Sequence, residues 1–164
     1  PNLKDAIPRF DVTWEEAAGL CREAGKRLCT ADEWERACKG ARSTVYSYGD
    51  TYDPEFCGAG LQDRRASGTA EACRSEFGVF DLSGNFREWT ATSKKAGRMI
   101  VKGGMVGSPE KGTRCALAED ASASYTDRTL SFRCCRDVDA PPAPETAASH
   151  APSAARRAAH HATR

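Results

Sequence analysis

Apolar residues recur at helical spacing twice near the start of the chain. Trp14, Ala17, Ala18 and Cys21 form the first stripe, the spacing that lets one face of a helix be buried. Thr13 stands just before it and Glu16 three residues on, a pairing in which each side chain satisfies a free backbone N–H of the other. Gly25 supplies the stop. The grammar then repeats: Thr30 with Glu33 predicts a second start, Trp34, Ala37 and Cys38 its apolar face, and Gly40 its end. Each predicted helix turns a tryptophan and a cysteine to its apolar side, so both are expected to pack on one sheet.

From Ala41 to Ser75 no period is sustained, and Gly, Asp, Ser, Arg and Tyr dominate. Such a stretch predicts long irregular loops, which in a compact domain are functional or stapled. After Gly97, "RMIVKG", "TRCALA" and "LSFRCC" show alternating or β-branched character between turn residues and predict three short strands. The last 26 positions, 139–164, contain no aliphatic residue larger than alanine and no aromatic. They cannot bury enough apolar surface to offset chain entropy and are expected to form a disordered tail. Residues 1–138 then make one loop-rich α+β domain.

Composition narrows the chemistry. All three histidines, His150, His160 and His161, lie in the tail, which removes imidazole bases and imidazole metal ligands from the body. The 24 basic and 23 acidic side chains leave a formal charge of +1, too little field to favour nucleic acid or an anionic membrane. No apolar run is long enough to span a bilayer. The eight cysteines, with no C-x-x-C pair, suit a disulfide framework better than zinc, and so an oxidising compartment. Cys134 and Cys135, adjacent on one predicted strand, face opposite sides and need different partners. The chain begins at Pro1, so the extracytoplasmic placement is expected without a visible signal.

The stretch "FGVFDLSGNFREWT" sets Asp81 and Glu88 on either side of a Gly-Asn turn. Together with "AGKRLCTADEWERACKG", "VKGGM", "RCALAED" and "SFRCC", in the same order and spacing, it resembles the formylglycine-generating enzyme family, also called sulfatase-modifying factors. The resemblance covers about Asp11 to Arg136. It implies a loop-dominated α+β fold similar to a C-type lectin, with this chain supplying the C-terminal portion of the family domain and lacking the strand-rich part that usually precedes it. An open sheet edge able to recruit another chain is then expected.

The resemblance also implies sites. A calcium ion would be held by the Asp81 side chain, the Gly84 and Phe86 carbonyls and the Glu88 side chain, hard oxygens on a bent backbone such as calcium prefers. A second family calcium site normally uses an asparagine where this chain has Gly58. Two family disulfides map to Cys21 with Cys134 and Cys38 with Cys115. Proximity and elimination leave Cys57 with Cys73 and Cys29 with Cys135. The family enzymes oxidise a cysteine of a C-x-P-x-R peptide with dioxygen, using Cu(I) between two cysteines soon after the Gly-Gly motif. Here no cysteine lies between Gly103 and Arg114.

The favoured expectation is therefore a calcium-supported binding or accessory module for a peptide or protein, with the copper site absent and no catalytic residue. Two alternatives stand beside it. One is a copper-dependent oxidase with Ser108 and Arg114 in the substrate groove. The other is a lectin-like display protein presenting loops 107–112 and 119–128. Trp14, Trp34 and Trp89 are read as core, and Asp32, Glu33 and Glu35 as a solvated helix start favoured by the helix dipole.

Overall fold

A computed structural model describes residues 5–58, 64–104 and 108–138; the tail of 139–164 lies outside the described set. Both predicted helices form where the capping residues place them. Helix α1 spans Trp14–Glu23 and helix α2 spans Ala31–Lys39, separated by the two-residue strand β1 (Arg27–Leu28). At each start the threonine hydroxyl accepts from the glutamate N–H, and the glutamate carboxylate accepts from the threonine N–H. Gly40 ends α2 at φ 65°, a left-handed value that favours glycine.

The described residues of this region, 41–58 and 64–75, are irregular as expected, apart from the short helix α3 (Pro54–Cys57). Strands β2 (Arg87–Lys95) and β3 (Arg98–Lys102) form an antiparallel hairpin. Helix α4 (Pro109–Gly112) follows, then strands β4 (Glu119–Ser122), β5 (Leu130–Phe132) and β6 (Cys134–Cys135). The main sheet runs β4-β3-β2-β5, with β5 parallel to β2, and β6 pairs separately with β1.

Two strand expectations need correction. "TRCALA" is not a strand: Thr113 folds its hydroxyl onto the Pro109 carbonyl, Cys115 is tied to the loop at Val45, and Leu117 closes a turn on Arg114. Pairing with β3 begins only at Glu119. "LSFRCC" is two strands, because the chain leaves the β2 ladder after Phe132 and joins β1 at Cys134.

The apolar interior is divided. One cluster sets Ala17, Ala18 and Cys21 of α1 against Trp89, Met99, Val101 and Leu130 of the sheet; a second joins Trp34 and Cys38 to Leu82 and Cys115; a third holds Cys57, Ala70 and Cys73. Each contains a disulfide. The four bonds are Cys21–Cys134, Cys29–Cys135, Cys38–Cys115 and Cys57–Cys73, with Cα separations of 5.5, 4.8, 5.5 and 4.7 Å. Cys21–Cys134 and Cys38–Cys115 are the pairs that the resemblance implied, Cys57–Cys73 and Cys29–Cys135 those left by proximity and elimination, and Cys134 and Cys135 take different partners. Small clusters supply limited transfer energy, so crosslinks that shrink the unfolded ensemble carry much of the stability.

Trp34 and Trp89 are buried, and Trp89 donates its indole N–H to the Val12 carbonyl at 3.0 Å. Trp14 is half-buried and donates to the Thr90 carbonyl at 2.8 Å, anchoring α1 to β2.

Candidate functional site

The turn between Asp81 and Glu88 is sharply bent. Asp81 and Asn85 adopt left-handed φ values of 63° and 65°, which cost energy outside glycine and must be held by their surroundings. Asn85 is held by reciprocal bonds with the Arg65 backbone at 2.9 and 3.0 Å. Gly84 lies so close to α3 that a Cβ there would fall 2.7 Å from the Cys57 carbonyl oxygen. Only glycine lets the turn pass beneath this disulfide-fixed helix.

Glu88 opens β2, in register with Lys102 of β3 and Ser131 of β5. Its carboxylate is buried and strongly bonded. Arg133 donates from Nε to Oε2 at 2.6 Å and from Nη2 to Oε1 at 2.8 Å, and the Trp34 indole donates to Oε2 at 2.7 Å. Arg133 also donates to the Phe80 carbonyl at 3.1 Å, linking β2 to the chain just before the turn. Asp81 is also buried, and its Oδ2 accepts from the Gly68 N–H at 2.8 Å. Burial pushes the Asp81 carboxyl above its usual range, the Gly68 bond only partly opposing it.

Asp81, Glu88 and Arg133 line a cleft of about 600 Å³, together with the apolar residues Ile7, Pro8, Val79, Phe80 and Phe132. The N-terminal segment forms its far wall. Asp5 N–H donates to Ser67 O, Ser67 N–H to Ala6 O, and the Ser131 hydroxyl to Arg9 O.

The four oxygens expected to hold calcium fit it in kind, since all are hard donors on one bent segment. Asp81 Oδ1 makes no hydrogen bond within the described residues, and Glu88 Oε1 accepts only one. The Gly84 carbonyl accepts from Phe86 N–H at 2.8 Å, and the Phe86 carbonyl faces Gly103. Arg133 neutralises the Glu88 carboxylate, while Asp81 makes no ion pair among the described residues. Gly58, the position of the second family site, is the left-handed end of α3 and has no side chain to offer.

The remaining candidates are scattered. Ser108 precedes α4 without capping it, and Arg114 is exposed and reaches Glu110 at 3.3 Å. Gly107, the first residue of the expected display loop 107–112, lies outside the described set. In the second display segment, Glu119 and Asp127 are ion-paired to Arg87 at 3.6 and 3.4 Å, which makes this stretch a brace for β2. The acids at the start of α2 are not merely solvated. Glu33 takes both Arg27 nitrogens at 2.7 Å, and Glu35 reaches Lys102, whose ammonium is almost fully buried over the Trp34 ring. No cysteine is free: Cys115, which follows the Gly-Gly segment, is buried and bonded to Cys38. The arginine clamp on Glu88 was missed from sequence, although Arg133 stands in the "SFR" motif.

The chain matches the family model described as a sulfatase-modifying factor enzyme 1-like domain over residues 2–138. An inactive C-alpha-formylglycine-generating enzyme 2 of Bos taurus is 27% identical, over 83% of this chain and 52% of that protein. A formylglycine-generating enzyme of Mycobacterium tuberculosis is 32% identical over 99 residues, 52% of this chain and 33% of the enzyme. Among solved structures, PvdO from Pseudomonas aeruginosa superposes with a TM-score of 0.63 at 18% identity, over 76% of this chain and 60% of that one. The likeness is one of fold. The chain spans about half the length of the curated relatives it matches.

Proposed function

Because this chain belongs to the sulfatase-modifying factor family by a match over residues 2–138, we propose that it is a non-catalytic relative of the formylglycine-generating enzymes, an extracytoplasmic binding or accessory module for a peptide or protein. The observation that carries this reading is the cysteine count. All eight cysteines are in disulfides, and none lies between Gly103 and Arg114. Cu(I) is a soft ion that favours thiolates, and Cys115, the cysteine that follows that segment, is spent on α2. The bovine relative that aligns along most of the chain is itself named inactive, in keeping with this reading. Four disulfides fit an oxidising compartment, and no helix of the described residues is long and apolar enough to cross a membrane.

Calcium belongs to the same reading as a support. Asp81, Gly84, Phe86 and Glu88 would hold it, and the bound charge would offset the cost of burying Asp81. Incubating the protein with copper and a C-x-P-x-R peptide in air tests the proposal: the peptide mass is expected to stay that of the thiol or its disulfide. Conversion to the aldehyde at an enzyme-like rate would end it and favour the oxidase alternative.

A further inference from the structure

We propose that the cleft beside the Ile7–Arg9 segment binds a peptide that presents carboxylates next to a large apolar side chain. This deepens the binding-module reading and rests on it. Three observations converge. The walls are apolar, and Ile7 on the rim is 56% exposed although its segment is fixed to the body on both sides. The exposed apolar surface of Ile7 gains from a ligand that covers it.

Charge supplies the second observation. Arg9 and Lys26 line the cleft, and neither makes an ion pair among the described residues. The remaining cation among the residues lining the cleft, Arg133, is committed to Glu88. Two uncommitted cations at the mouth of an apolar cleft complement an anion with an apolar flank. The third observation is Asp81, an acid among the lining residues. It repels a ligand carboxylate, so the anion is directed to Arg9 and Lys26 and the apolar group to Val79, Phe80 and Phe132. A cation bound to Asp81 removes that repulsion, so calcium should strengthen binding. Backbone bonds hold the walls in place before any ligand arrives, which lowers the ordering cost of binding.

The test uses the full chain and a dansylated Gly-Phe-Glu-Leu-Glu-Gly peptide, followed by fluorescence anisotropy, beside a counterpart with glutamine for glutamate. The peptide contains no cysteine, so the result is independent of any oxidase activity, and failure here leaves the non-catalytic reading to its own assay. Saturable binding is expected for the glutamate peptide, at least tenfold tighter than for the glutamine one, weaker in 500 mM than in 50 mM salt, and tighter with calcium. An Arg9→Glu, Lys26→Glu double variant, altered at half-exposed or exposed positions, should keep its melting temperature and lose at least tenfold in affinity. Equal affinity for the two peptides, unchanged binding by the variant, or no binding at millimolar peptide would each overturn the proposal.

Discussion

Arg133 grips Glu88 by both carboxylate oxygens, at 2.6 and 2.8 Å, at the point where the chain leaves the main sheet to join β1. Both side chains are largely hidden from water, at 17% and 8% exposure. Removing one partner leaves the other as a buried, unpaired charge, so Arg133→Met is expected to lower unfolding free energy by about 3–5 kcal/mol. Glu88→Gln, which keeps an oxygen for the Trp34 indole, should cost less than Glu88→Ala. Urea unfolding followed by tryptophan fluorescence measures all three, and a change below 1 kcal/mol for Arg133→Met would remove the clamp from the account.

Lys102 and Glu35 make an asymmetric pair. The lysine side chain is 1% exposed and the glutamate 31%, and burial pulls the ammonium below its ordinary range against the pull of Glu35. Replacing the lysine by the similarly shaped Lys102→Met removes a desolvated charge and is expected to be neutral or stabilising. Glu35→Ala strands that charge and should destabilise by roughly 2 kcal/mol or more. The order of the two melting temperatures decides the point.

Asp81 gives a pH signature. Its folded carboxyl is held above the ordinary 3.8 by burial, so between that value and its folded pKa the native state binds more protons than the unfolded chain. Stability therefore falls as pH rises through this window. In a calcium chelator, Asp81→Asn, whose amide oxygen can still accept from Gly68 N–H, should raise the melting temperature at pH 7, and it should no longer be stabilised by added calcium. Glu33 works in the opposite sense. The Arg27 bonds depress it to about 2, so its contribution is present above the unfolded value of 4.5 and lost as pH falls towards 2. Thermal melts from pH 2 to 8 on the parent and both single variants, Asp81→Asn and Glu33→Gln, separate the two slopes.

The disulfides differ in the chain they close. Cys21–Cys134, Cys29–Cys135 and Cys38–Cys115 span separations of 113, 106 and 77 residues, and Cys57–Cys73 only 16. Loop entropy assigns about 4–5 kcal/mol to each long bond and about 3 kcal/mol to the short one. Paired Cys→Ala replacement at 38 and 115 should therefore cost more than at 57 and 73, read as the urea midpoint under oxidising conditions.

The helices were legible because their signals are local. Thr13 with Glu16, and Thr30 with Glu33, fix helix starts within four residues, whereas eight cysteines allow 105 pairings, and it was the family resemblance that implied Cys21 with Cys134 and Cys38 with Cys115 and so left few choices for the rest. The sheet was harder to read. Nine-residue β2 opens with "REWTATSKK", where buried Glu88 and Thr90 break the apolar alternation that marks a strand. The split at Arg133 follows from a contact 45 residues away, and the Lys102–Glu35 pair spans 67. The Asp81–Glu88 turn was found from its Gly-Asn pair and family pattern, while the arginine that shares its charge left no sign in local spacing.

Every cysteine serves as a crosslink. Denaturing the oxidised protein with N-ethylmaleimide and no reductant, then measuring intact mass, addresses it directly. No added maleimide is predicted, with eight adducts after reduction. Two adducts on the unreduced protein would reveal a free thiol pair and contradict the account.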